Sequence, residues 1–295
     1  MWHIEVAGRA ALAALGQISP AESIGVPPGA QHPSALRSIV RASFERSCYV
    51  ESQSGHLLCV GNPSIGRGPL NALVRQFVAP PVGATVSMDA TNSLVWQPGS
   101  RMGQWTAASG QRLHQAALGR VPLDGLGGLI TGSSSPLIKH AEPALRALNT
   151  WLGESRQTDW APAPVKNLIG LGHGLTPSGD DYLCGVLVAL HGMGQSQKAQ
   201  ALWKEIEPCL ATQTNFISAA HLQAAAQGEG HEALHTCLVA VTAGQTIRPD
   251  DLTGPRGPLT QLAQIGHSSG WDALAGAVAA LKAGCYAPPL QRTSF

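Results

Sequence analysis

The stretch GHGLTPSGDDYLCGVLVAL, residues 172–190, sets a loop rich in glycine and carboxylate directly in front of an apolar run. Gly172, Gly174 and Gly179, the hydroxyls of Thr176 and Ser178, His173 and the adjacent pair Asp180–Asp181 occupy its first ten positions. Such a polar, glycine-broken segment followed by an unbroken apolar one predicts a loop that opens a buried helix. The pattern recurs near the other end of the chain. Residues 178–190, SGDDYLCGVLVAL, and 269–281, SGWDALAGAVAAL, are identical at seven of thirteen positions, among them Ser178/Ser269, Gly179/Gly270, Asp181/Asp272 and Gly185/Gly276. A Gly-His pair precedes both copies, Gly172-His173 and Gly266-His267. Two helix starts of one construction place the second half of the chain in the helical class.

Each copy has a structural reading. Ser178 with Asp181, and Ser269 with Asp272, have the S-x-x-D form of a capping box, in which hydroxyl and carboxylate satisfy orphan backbone donors at a helix start. Gly179 and Gly270 do not fit it well. At the first helical position a glycine costs up to about 1 kcal/mol relative to alanine, and its use there is to let something approach the backbone closely. Asp181 and Gly185 lie four residues apart, as do Asp272 and Gly276, so each carboxylate stands above a groove on its own helix face. The spacing predicts that the two helices cross at Gly185 and Gly276, with both N-termini and both carboxylates opening on one cleft. Helix N-termini attract phosphate or carboxylate. The carboxylates favour instead a ligand with donor groups, such as a carbamoyl NH₂, or a phosphate bridged by a divalent metal.

Outward from this motif the texture changes once. HLLCVGN (56–62), GATVSMDAT (83–91) and SLVWQPGS (93–100) are short, β-prone and separated by turn residues. From Ser135-Pro136 onward apolar residues fall at helical spacing, and further helices are expected near 179–194, 198–211, 214–227, 230–243 and 270–283. The expected fold is α+β: a β-rich N-terminal half, residues 1–130, packed on an α-helical half, residues 131–295, with the change near 125–136.

Only 13% of the 295 residues are charged, so part of the surface is expected to be covered by another chain. The 19 basic and 18 acidic residues nearly cancel, which argues against nucleic acid and anionic membrane as partners. Cys48, Cys59, Cys184, Cys209, Cys237 and Cys285 form no C-x-x-C pair, as suits a reducing cytoplasm. Glu5 and Arg9 interrupt the apolar N-terminus, against a secretory signal, and the apolar runs are too short and glycine-broken to span a bilayer.

Three other segments carry candidate chemistry. NPSIGRGPLN (62–71) holds Arg67 between two glycines and ends on Asn71; it reads equally as a carboxylate or phosphate clamp and as an ordinary turn. TNFISAAHLQAAAQGEG (214–230) places Asn215, Ser218 and His221 at helical spacing, where polar groups line a site or simply satisfy one another. HEALH (231–235) has the H-E-x-x-H form of a zinc peptidase, but no H-x-x-G-x-x-H extension follows, the spacing recommends neither Asp250 nor His267 as third ligand, and His231 is left in a fraying first turn. No G-x-S-x-G elbow, Walker loop or dinucleotide fingerprint is present.

Taken together, GRGPLN (66–71), GLGHGLTPSGDDYLCG (170–185), TNFISAAHL (214–222) and IGHSSGWDALAG (265–276) resemble a bacterial family associated with the AllH subunit of oxamate carbamoyltransferase. The resemblance runs from about residue 55 to 284. It implies a subunit of a multi-chain enzyme of purine and allantoin degradation, which moves a carbamoyl group between phosphate and oxamate. No catalytic roles come with it. Beside it, the residues themselves supply what carbamoyl transfer needs. Helix N-termini act as donors, Asp181 and Asp272 as acceptors, Arg67 as a carboxylate clamp, and His173 and His267 as proton carriers. Asp181, Asp272 and His173 are thus the catalytic candidates. Arg67, Asn71, Gly172, Gly174, Thr176, Ser178, Gly179, Asp180, Asn215, His267, Ser269 and Gly270 are the binding candidates. No resident cofactor is expected, a divalent metal being the one addition the carboxylates invite. The competing reading is a non-catalytic scaffold or ligand-binding subunit for partner chains.

Overall fold

The computed structural model describes residues 1–17, 36–99, 102–154, 160–244 and 248–286. The chain forms two compact units, one of Met1–Gly99 with Glu229–Glu232, the other of Ser100–Gly228 with Ala233–Phe295.

The first unit is a barrel. Its strands are β1 (Trp2–Gly8), β2 (Leu36–Ser43), β3 (Ser47–Ser52), β4 (Leu57–Gly61), β5 (Asn71–Val74), β6 (Thr85–Asp89) and β7 (Leu94–Trp96), with the short helix α1 (Arg9–Ala14) after β1. Strand order is β5-β4-β3-β2-β6-β1-β7, and β1 also pairs with β5, so six strands close on themselves while β7 lies along β1. Closure removes the edges that an open sheet leaves unpaired. Alternate residues of β3, Cys48, Val50 and Ser52, turn inward, and every residue of β4 is buried. Ile4, Val40, Leu58, Val60 and Met88 fill the core together with Leu12 and Leu15. Residues 229–232 return to this unit: the Glu232 amide donates to the Arg67 carbonyl at 2.8 Å, and Arg9 pairs with Glu229 at 3.5 Å.

The second unit is helical, with α2 (Ala107–Ala117), α3 (Pro136–Gly153), α4 (Ser178–Gly192), α5 (Ser196–Ile206), α6 (Leu210–Gln213), α7 (Phe216–Ala225), α8 (Glu232–Thr242), α9 (Pro249–Thr253), α10 (Pro258–Leu262) and α11 (Ser269–Tyr286). Helical structure therefore starts earlier than the expected change near 125–136. Thr106 and Ser109 form a capping box that launches α2, a signal hidden among the turn residues around it. At α3, Pro136 takes the first helical position and Ser135 accepts from the Ile138 amide, as its sequence implies. The buried Lys198 ammonium closes the far end of α3 by donating to the Leu152 and Glu154 carbonyls at 2.7 and 2.8 Å. Twelve of the fifteen residues of α4 are buried, so this helix is wrapped on nearly all sides rather than amphipathic. The chain is broadly α+β. Among the described residues, no helix is long and apolar enough to cross a membrane.

Candidate site at the crossing of the two motif helices

The two copies of the motif pack on each other. A methyl group on Gly185 would overlap the Ala273 carbonyl, and one on Gly276 would overlap the Tyr182 carbonyl. Positions 182 and 185 of the first copy correspond to 273 and 276 of the second, so the contacts are reciprocal and α4 and α11 are related by a local two-fold. Only glycine permits two helix backbones to approach this closely. The same symmetry brings the two helix starts together, where the Thr176 and Ser269 hydroxyls are 2.8 Å apart.

The capping-box reading fails at the first copy. Pro177 takes the N-cap, no side chain caps the helix, and the Asp181 amide bonds to the Pro177 carbonyl at 3.0 Å. Ser178 is already the first helical residue, which frees both Ser178 and Asp181 from capping. Gly179 and Gly270 are explained by the chain itself: a side chain there would strike the Leu168 carbonyl in one copy and the Leu262 carbonyl in the other. The close approach is internal and does not mark a ligand contact.

The three carboxylates have different surroundings. Asp180 is fully buried; one oxygen accepts from the Gly170 amide at 2.8 Å, the other from the Ser218 hydroxyl at 2.7 Å and from the Thr214 hydroxyl. It anchors the loop before α4 to the start of α7, and protein donors occupy both of its oxygens. Asp272, also fully buried, accepts with Oδ1 from the Leu126 and Gly127 amides at 2.6 and 2.7 Å. Gly125 passes so near that any side chain would collide with that carboxylate. Asp181 is 8% exposed, and its Oδ2, like that of Asp272, is buried without a hydrogen-bond partner. Burial and then the neighbouring Asp272 charge hold the Asp181 carboxyl well above the usual carboxylate range, tempered by the Ser269 and Thr176 hydroxyls. Burial also raises Asp272 and Asp180, against the donors around each.

The loop from Gly172 to Pro177 lies over these helix starts. Gly172 and Gly174 have φ of 114° and 100°, values that L side chains rarely adopt, and Gly172 abuts the Ser178 amide. Asn215 fastens the loop, accepting from the Ile217 and Ser218 amides while its Nδ2 donates to the Leu175 carbonyl at 2.8 Å. His173 is exposed. His267 is exposed too and lies 3.2 Å from Asp124.

Thr176, Ser178, Asp181, Ser269 and Asp272 are thus brought together. Gly179, Gly270, Asp180 and Asn215 support them from behind. Arg67 and Asn71 belong to the barrel unit, where Arg67 pairs with Glu232 at 3.5 Å and Asn71 Nδ2 donates to the Gly66 carbonyl at 2.9 Å. Leu126 and Gly127, whose amides hold Asp272, were not among the sequence candidates; their only mark is the glycine-rich run DGLGG at 124–128. Two open cavities of about 960 and 480 Å³ lie elsewhere in the helical unit, the first beside Gln111, His114 and Lys282, the second beside Arg146 and Trp160. The residues around neither include the paired carboxylates, whose chemistry is enclosed in the crossing.

The H-E-x-x-H reading is overturned. Helix α8 starts at Glu232, so His231 precedes it and cannot share a helix face with His235. His231 Nε2 bonds to the Ile65 carbonyl at 2.8 Å, and Glu232 pairs with Arg67. Among the described residues, no group of three or more His, Cys, Asp or Glu is placed to hold a metal ion.

Comparison with known proteins agrees with the motif reading over a shorter span than expected. No curated protein and no solved structure matches the chain. The family match omits residues 66–71 and takes in the loop, Asn215 and both helix starts. Over residues 168–281 the chain matches the family described as oxamate carbamoyltransferase subunit AllH.

Proposed function

We propose that this chain is a subunit of a carbamoyltransferase of the oxamate carbamoyltransferase type, acting in a cytoplasmic complex of different chains on carbamoyl phosphate and on oxamate, oxalurate or a related ureide. The observation that carries the reading is Asp181. Its carboxyl is buried, it keeps one oxygen without a partner, and it stands at a doubled helix start inside the region of the family match. Carbamoyl transfer asks for donors on a polarised carbonyl, an anion site for phosphate and a group that orients the carbamoyl NH₂. The helix N-termini offer the first two, and Asp181 the third. His173, exposed on the loop, is the proton carrier of this reading. The low charge content supports partner chains covering part of the surface. No resident cofactor enters the scheme.

A second reading has its own support: Asp180 and Asp272 are held by protein donors, as in a non-catalytic scaffold. One experiment separates the two. The chain is purified with whatever subunits accompany it, and phosphate-dependent carbamoyl transfer is measured for the wild type and for Asp181→Asn. Asparagine keeps the shape and an acceptor but can neither ionise nor release a proton. A fall of about 10²-fold or more at unchanged folded content supports the enzyme. Full turnover per folded complex removes Asp181 from the chemistry and leaves the scaffold.

A further inference from the structure

We infer that Asp181 and Asp272 hold a single proton between them in the folded chain, and that this proton admits an anionic ligand to the joined helix starts. The second half of the inference rests on the reading of this region as a ligand site; the first half does not.

The helix crossing brings both carboxyls to the joined helix starts, where the Thr176 and Ser269 hydroxyls meet. Both carboxyls are more than nine-tenths buried, both Oδ2 atoms lack partners, and the reciprocal glycine contacts of α4 and α11 set residues 181 and 272 in equivalent places around the local two-fold. Two ionised carboxylates in such a place are strongly disfavoured, and a shared proton removes one charge without needing space. The surroundings decide who keeps it. Asp272 is stabilised as an anion by the Ser178 and Ser268 hydroxyls and by the Leu126 and Gly127 amides on its Oδ1, whereas Asp181 meets the Ser269 and Thr176 hydroxyls. The proton therefore resides mainly on Asp181.

No neighbouring cation does the same work. From α4, Asp180 adds negative charge but is satisfied by its own donors, and burial raises the Cys184 thiol one turn on. From the loop come Thr176, Ser178 and the exposed His173. From the DGLGG turn itself comes Asp124, which faces His267. Among the described residues, no lysine or arginine forms an ion pair with either carboxylate.

The charge balance follows. Each helix N-terminus carries about half a positive charge, so two of them offset one carboxylate and not two. Asp180 adds its own charge in either state, so what the proton changes is one unit of negative charge at the helix starts: its presence favours an anion there and its loss disfavours one.

The test uses the full chain and two readouts. Infrared difference spectroscopy at neutral pH looks for the carbonyl band of a protonated carboxyl, expected in the wild type and absent in Asp181→Asn. Calorimetry with sulfate, whose charge is constant over the range, gives the anion affinity against pH. It is expected to weaken by up to about tenfold per pH unit once the pair loses its proton in the wild type, and to stay level in Asp181→Asn. If the wild type lacks the band, the proton pair is wrong, whatever the carbamoyl-transfer assay shows. If added Mg²⁺ abolishes the band and raises the melting temperature of the wild type but not of Asp181→Asn, the occupant is a cation and the pair is again wrong. A band without sulfate binding at any pH overturns the anion half.

Discussion

Gly276 lies so close to Tyr182 that any side chain on it would collide with the tyrosine's carbonyl oxygen. That oxygen belongs to a helix buried along most of its length, so neither backbone can move aside cheaply. Gly276→Ala is expected to cost about 1–3 kcal/mol or more through overpacking, and Gly185→Ala a similar amount against Ala273. Urea unfolding of each variant measures this; midpoints equal to wild type would mean that the helices do not cross here.

Asp180 is a structural carboxylate with three protein donors. Asp180→Ala leaves the Gly170 amide and the Thr214 and Ser218 hydroxyls without this acceptor at a buried position, at an expected cost of about 3–5 kcal/mol. Asp180→Asn keeps one acceptor and should lose less. Denaturant titration of the two variants in parallel would show equal losses if the hydrogen bonds were unimportant.

Acid should weaken the barrel through His231. Burial holds its imidazole below the ordinary histidine value near 6.5, with only partial recovery from its bond to the Ile65 carbonyl. The unfolded chain then binds the proton more readily than the folded one, so stability is complete above about pH 6.5 and declines as pH falls below it. His231→Gln, which can still donate to Ile65, should flatten that part of the profile. An unfolding midpoint in wild type that is level between pH 7 and 5 would contradict the assignment.

Cys48, Cys59 and Cys237 should be inert in the native chain. Burial pushes each thiol up to about 12, leaving almost no thiolate at pH 8. Mass spectrometry after iodoacetamide treatment should find these three unmodified without denaturant and modified in urea. Rapid native alkylation of any of them would show that its strand or helix opens readily.

The duplicated motif was legible because helical spacing carries three-dimensional information over a single turn. Gly185 and Gly276 announced a crossing, and Asp181 and Asp272 fell where that crossing put them. Less local facts could not be read. β-prone runs such as 83–91 say nothing about which strands pair, so barrel closure through β1 and β5 was invisible. Asp180 and Asp181 are adjacent in sequence, yet a helix turns neighbours about 100° apart, and only packing shows which one the protein consumes. The amides of Leu126 and Gly127 carry no side-chain signature, and they reach Asp272 across some 145 residues of chain.

Residues 229–232 belong to the barrel unit although the chain on both sides of them belongs to the helical one. A fragment beginning at residue 100 would thus carry a tetrapeptide whose native hydrogen-bonding edge, at Ile65 and Arg67, had been cut away. A fragment ending at residue 99 would lack the imidazole that fills the space over Gly66. The boundary between the units is therefore no place for a protein engineer to divide the gene. Shuffling with a relative would have to exchange the tetrapeptide along with the first 99 residues, and a split reporter built at Gly99 would start with both halves incomplete.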